Sequence, residues 1–150
     1  MSLQTELMEQ MKLAMKAKDT VALQALRAVK SAILLAKTES GATEELSEDQ
    51  ELKILQKQVK QRKDSAAVYL EQGRKDLADP ELAEAAIIEQ FLPEALSEDE
   101  VDSVVKAAIE KTGATGMKDM GMVMGIVSKE LAGQADGKTI STLVKKNLIA

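Results

Sequence analysis

The amino-acid sequence predicts an all-α protein, and three observations carry that prediction. Ala, Leu, Lys, Glu, Gln, Met and Arg, the strong helix formers, supply 93 of the 150 residues. Apolar residues recur at three- and four-residue intervals along most of the chain. Period-2 runs of β-branched residues, the mark of a half-buried strand, are missing. An apolar fraction of 45% is enough for a core, although Tyr69 and Phe91 are its only aromatics.

Each element then follows from its stripe and its punctuation. Leu3, Leu7, Met11, Ala14 and Met15 predict a helix over residues 3–18. Asp19 is placed to cap a second helix, whose stripe is Ala22, Leu26, Val29, Ile33 and Ala36. Ser40-Gly41-Ala42-Thr43 reads as a loop. Ser47 with Gln50 makes a capping box that opens a long helix closed by Gly73. The 26 residues from 47 to 72 would span roughly 39 Å at about 1.5 Å each, which implies an elongated N-terminal domain. Asp79-Pro80 reads as a cap followed by proline at the first helical position, starting a helix with Leu82, Ala85, Ala86, Ile88 and Leu92. Pro93 breaks the pattern.

Ser97 with Glu100 is a second capping box, followed by Val101, Val104, Val105 and Ala108. Thr112-Gly113-Ala114-Thr115-Gly116 is a turn. Met120, Val123, Met124, Val127 and Leu131 form one face of a Met-rich helix that Gly133 stops. Asp136 caps a last helix with Ile140, Leu143, Val144 and Leu148. The expected organisation is therefore a helical N-terminal domain over 1–92, with about four helices, and a small three-helix bundle over 93–150.

The absences narrow the chemistry. Without His or Cys, His-based triads, Cys nucleophiles, Cys/His zinc sites, disulfides and His- or Cys-ligated haem are excluded. No apolar run approaches the length of a membrane span, and the N-terminus lacks the pattern of a signal peptide. A cytoplasmic location is the expectation. No phosphate-binding glycine loop is present, nothing specifies a Ser–Lys dyad at Ser65, and no EF-hand spacing occurs. Glu98, Asp99, Glu100 and Asp102 read as acids complementing a helix N-terminus. No cofactor and no metal are expected.

Net charge is −5, but it is unevenly placed. Residues 39–51 carry six acids and no base, while Lys53, Lys57, Lys60, Arg62 and Lys63 follow without an acid. At 100° per residue, Lys53, Lys57 and Lys60 share one side of the long helix, with Leu52, Val59, Ala66 and Leu70 turned toward the core. Two readings stand: a solvated face balanced by nearby acids, or a phosphate ladder that gains affinity by counterion release. Lys129, Lys138, Lys145 and Lys146 make the C-terminal part locally basic. Met117, Met120, Met122 and Met124 read as core filler or as a plastic partner-binding face. Gly121 and Gly125, at i and i+4, read as a site of close helix–helix approach or as a flat place for an RNA backbone or partner; Gly133 and Gly137 flank the next turn.

Several stretches in this order resemble the YqeY-like family, which is related to the C-terminal tail of GatB, a component of the tRNA-dependent Asp/Glu amidotransferase. They are Leu13-Ala14-Met15-Lys16-Ala17-Lys18-Asp19, Val59-Lys60-Gln61-Arg62-Lys63-Asp64-Ser65, Gly73-Arg74-Lys75-Asp76-Leu77 and Phe91-Leu92-Pro93. The most specific is Asp119-Met120-Gly121-Met122-Val123-Met124-Gly125, followed by Gly133-Gln134-Ala135-Asp136-Gly137-Lys138. The resemblance implies an all-helical N-terminal part, a three-helix C-terminal part and a relation to transamidation of mischarged tRNA, in which the corresponding tail helps hold tRNA. It differs at Gln134, where the pattern often has a basic residue. The carbon–nitrogen ligase activity of the relative, with glutamine as amido donor, resides in domains that this chain lacks.

The expected function is thus a non-enzymatic tRNA- or RNA-associated binding protein. Its candidate RNA-binding residues are Lys53, Lys57, Lys60, Arg62, Lys63, Lys129, Lys138, Lys145 and Lys146. The candidate close-approach glycines are Gly121, Gly125, Gly133 and Gly137. With few aromatics, recognition would read shape and phosphates, with base readout minor. The alternatives are a helical protein–protein adaptor and an accessory carbon–nitrogen ligase activity. The partners expected are tRNA or an RNA–protein complex, or a protein; neither a membrane nor DNA is expected.

Overall fold

The computed structural model describes residues 2–39, 41 and 45–149. Among these there are seven α-helices and no strand, and no helix is long and apolar enough to cross a membrane. Two compact units, Met1–Leu92 and Pro93–Ala150, each hold a core of their own.

In the first unit, α1 (Leu3–Ala17), α2 (Thr20–Glu39), α3 (Glu48–Glu71) and α4 (Lys75–Glu89) surround Leu7, Leu26, Val29, Ile33, Leu55 and Ile88, all buried. The chain passes from α1 to α2 in one tight turn. Lys18 adopts a left-handed conformation (φ 56°), its N–H and that of Asp19 bond back to Met15 and Ala14, and the Asp19 carboxylate caps Ala22 N–H at 3.0 Å. The capping box on α3 forms in full. Its end is a Schellman motif: Gly73 (φ 70°) and Arg74 donate to Leu70 and Tyr69. Of the expected loop, only Gly41 is described; Ser40, Ala42 and Thr43 lie outside the described residues.

Two expectations are corrected here. Helix α4 begins at Lys75, and Pro80 stands inside it, not at its first position. Once Gly73 has reversed the chain, the Arg74 guanidinium grips the Asp76 carboxylate at 2.9 and 3.0 Å, holding that carboxyl below its ordinary range. Ala78, fully buried, then seats the first turn before the proline is reached. On α3 the expected Val59 and Ala66 are buried, and Leu70 departs from the expectation. Leu55 joins the buried side, while Leu70, beside the Gly73 turn that closes the α3–α4 hairpin, is 52% exposed.

In the second unit, α5 (Glu98–Thr112), α6 (Met120–Glu130) and α7 (Gly137–Ile149) pack pairwise around Val101, Val105, Val123, Val127, Leu131, Ile140, Leu143 and Val144. The Ser97–Glu100 capping box forms. Gly113 ends α5 in the left-handed region, a 3-10 turn at Met117–Asp119 leads into α6, and Asp136 caps α7 through Thr139 N–H at 2.6 Å. The whole expected stripe of α7 is buried.

Candidate nucleic-acid interface

The basic run on α3 is exposed in part and engaged in part. Lys53, Lys57 and Lys60 face solvent, Lys60 lying 4.0 Å from Asp64. Lys63 forms an ion pair with Glu89 across the hairpin. Arg62 does not belong to a phosphate-facing row, and this corrects the expectation. Its side chain is largely buried against α4, where Nη1 donates to the Gln58 carbonyl (3.1 Å) and side chain (2.8 Å), while Nε sits 4.0 Å from Glu84. That Nε is buried without a hydrogen-bond partner. Burial pushes the Glu84 carboxyl up, and the nearby Arg62 offsets part of the rise. By helical phase Arg62 lies roughly 180° from Lys53, on the far side of α3 from the lysine stripe, and the acid that claims it comes from another helix.

The second unit presents a different surface. Lys129 ends α6, Lys138 lies in the first turn of α7, and Lys145 and Lys146 lie in its last turns; all four are exposed. Among the described residues none of them forms an ion pair. Lys138 gains nothing from the helix field, since a cation at a helix N-terminus opposes the macrodipole. Solvation, or an anion held there, is what the site offers it.

The expected close approach of Gly121 and Gly125 to another helix is not observed. A side-chain carbon built on either one, or on Gly137, would meet no atom within 4 Å. Helix α6 is short and turns Val123 and Val127 inward with Met120 and Met124 beside them, so its glycine side faces out. Gly133 differs: it is buried with φ 81°, a conformation that glycine adopts readily. The methionines divide likewise. Met120 and Met124 pack on the core, whereas Met117 and Met122 are exposed with Ile126.

Comparison with known proteins places this architecture. The model of the Yqey-like protein family matches residues 4–148. The chain belongs to that family. It is 44% identical over 79 residues to a glutamyl-tRNA(Gln) amidotransferase component of Thermococcus gammatolerans, a match that covers 49% of this chain and only 13% of that protein. It is 29% identical over 140 residues to altered inheritance of mitochondria protein 41, mitochondrial, of Pyrenophora tritici-repentis, covering 91% of this chain and 75% of that protein.

In this YqeY-like chain Asp102 does more than complement a helix N-terminus, which its sequence position alone did not show. Asn147 Nδ2 donates to its Oδ1 at 2.7 Å and to the Leu143 carbonyl at 2.8 Å, while Lys106 approaches Oδ2 at 3.0 Å. The hydrogen bonds from Asn147 and Lys106 hold the Asp102 carboxyl below its usual range. This clamp ties α5 to α7 and sets the rotation of the helix that carries Lys138, Lys145 and Lys146. Its partners are 45 residues apart, so only the helical phase of Asn147, opposite the exposed Lys145, hinted at it. No three carboxylates converge as a metal would require among the described residues.

Proposed function

We propose that this chain is a non-enzymatic tRNA- or RNA-binding protein whose principal contact face is its C-terminal unit. The observation that carries the reading is the set Lys129, Lys138, Lys145 and Lys146, exposed and without ion pairs among the described residues, in a chain similar over about half its length to an amidotransferase component named for glutamyl-tRNA(Gln). Ammonium groups held in no ion pair exchange counterions for phosphates directly. The open side of α6 at Gly121 and Gly125 lets a sugar–phosphate backbone come close to the helix. The second unit contains no aromatic residue, so stacking on bases contributes nothing there and contacts go to phosphate and shape. The α3 lysines Lys53, Lys57 and Lys60 would add a weaker, longer-range attraction. A cytoplasmic location goes with this reading.

Titration of labelled total tRNA with the full chain tests it. If four phosphates are contacted, affinity should fall roughly 50- to 150-fold between 50 and 200 mM salt. Absence of binding at low salt, or binding indifferent to salt, would contradict the reading. Exposed Met122 and Ile126 beside the glycines support a second one, a protein adaptor; partners that persist after RNase treatment would favour it.

A further inference from the structure

We propose that the seam between α1 and α2 is a docking groove for an acidic amphipathic helix of a partner protein. This goes beyond RNA binding and concerns the other unit. Two rows of side chains flank the seam. On α1, Gln4, Met8, Met11 and Met15 recur at intervals of four, three and four residues; on α2, Arg27, Lys30, Leu34 and Lys37 recur at three, four and three. Each row therefore lies along one side of its helix.

Near the N-terminal end of α1 the rows enclose a depression of about 140 Å³ lined by Leu7, Met8, Ile33 and Leu34 together with Lys30 and Lys37. Two of its apolar side chains are far from buried: Met8 is 53% exposed and Leu34 64%. The two helices turn Ala14, Ala22, Ala25 and Leu26 into the core, so these larger side chains are surplus to it. Unbranched Met beside Leu gives a surface that adapts to inserted side chains.

Charge selects the occupant. Over α1 and α2 the bases are Lys12, Lys16, Lys18, Arg27, Lys30 and Lys37 and the acids Glu6, Glu9, Asp19 and Glu39; the charges on the two rows that flank the groove are Arg27, Lys30 and Lys37 alone, and the Asp19 carboxylate is used to cap α2. Lys37 already faces two acids, the exposed Glu45 at 3.7 Å and Glu51, so the flank open to a partner is that of Lys30 and Arg27, which form no ion pair among the described residues. An apolar floor with cationic flanks is complementary to a helix carrying apolar anchors at i, i+3, i+4 and i+7 and carboxylates beside them. Helix α1 is 15 residues long, so about four turns of a partner helix would lie along it. A concave floor suits inserted side chains better than a flat bilayer, and methionine and leucine offer nothing to phosphates.

The test is a selection on the full chain from a displayed library of 16-residue helices, with apolar residues fixed on one face and random charge beside them. The expected winners are acidic, and their affinity falls at least tenfold against Leu34→Glu or Lys30→Glu, both of which alter exposed side chains and should leave the helical circular dichroism unchanged. Failure to enrich any peptide, enrichment of basic or uncharged peptides, or binding unmoved by both variants overturns the proposal. Two further arms use the same variants. Sedimentation with vesicles of three parts phosphatidylcholine to one of phosphatidylserine, or concentration-dependent self-association, that is lost in Leu34→Glu while no peptide binds would assign the groove to a membrane or a second copy and overturn the partner-helix assignment. Total tRNA should not displace the selected peptide; displacement would overturn the separation of the two surfaces.

Discussion

The α3 lysines and the C-terminal lysines are equally prominent in the sequence, yet the structure treats them differently. On the α3–α4 hairpin, Arg62 is drawn toward Glu84 and Lys63 toward Glu89, so part of the basic run serves to hold two helices together. In the second unit, Lys129, Lys138, Lys145 and Lys146 form no ion pair among the described residues, although Lys146 feels the charge of Asp102. The contrast teaches that exposure and availability are separate properties of a charge. A phosphate competing for Lys63 must first displace a carboxylate, whereas one approaching Lys138 displaces only water and ions. Exposed ion pairs are individually weak, so their effect is to lower the gain from an added phosphate, not to forbid it.

The largest expected stability effect sharpens the description of the hairpin. Leu55→Ala should cost about 2–5 kcal/mol, because it empties a fully packed site. Leu70→Ala, on the same helix, should change stability by less than about 0.5 kcal/mol. Urea unfolding of the two variants checks the pair; equal losses would mean that the inward face of α3 has been assigned wrongly.

A smaller effect tests the clamp in the other unit. Asn147→Ala should lower Tm by a few degrees near neutral pH. Because the folded Asp102 carboxyl is depressed, its stabilisation is complete above the ordinary aspartate range and is lost as pH falls through the folded value. The difference between wild type and variant should therefore shrink on acidification below that range. Melts at a series of pH values would contradict the clamp if the difference stayed constant. In the hairpin the sign is opposite. Glu84 is raised by burial, so its ionised form disfavours the fold above the raised value and that penalty fades as pH falls. Glu84→Gln should accordingly be close to neutral at pH 7 and flatten this part of the pH profile.

A small gain is expected at the α1–α2 turn. Lys18 occupies the left-handed region, which costs an L-residue about 1–2 kcal/mol that glycine avoids, partly offset by glycine's greater freedom when unfolded. Lys18→Gly should raise stability by about 0.5–1 kcal/mol, read from the denaturation midpoint. A loss would mean that the Lys18 side chain has a stabilising partner.

What the sequence made legible was local. The two capping boxes, the glycine stop at Gly73, the turn at Gly113, the Asp19 and Asp136 caps and the buried stripe of α7 all depend on residues within a few positions of each other. What it hid was non-local. Arg62 and Glu84, Lys63 and Glu89, and Asp102 and Asn147 meet only after helices pack, and no periodicity encodes their pairing. Pro80 misled because its most frequent helical position is the first turn, while here Ala78 and the Arg74–Asp76 pair had already started the helix. Gly121 and Gly125 misled for a related reason: a smooth stripe records where contact is permitted, and in this fold that permission is left to solvent or a partner.

The central claim is that the RNA face lies in the second unit. Its most direct test compares two variants of the full chain in tRNA titrations across salt: Lys129→Gln, Lys138→Gln, Lys145→Gln and Lys146→Gln together, against Lys53→Gln, Lys57→Gln and Lys60→Gln together. The first set should remove most of the affinity and flatten the salt dependence by roughly three to four in slope, and the second should shift it by about one or less. Equal losses, or a larger loss from the α3 set, would contradict the account.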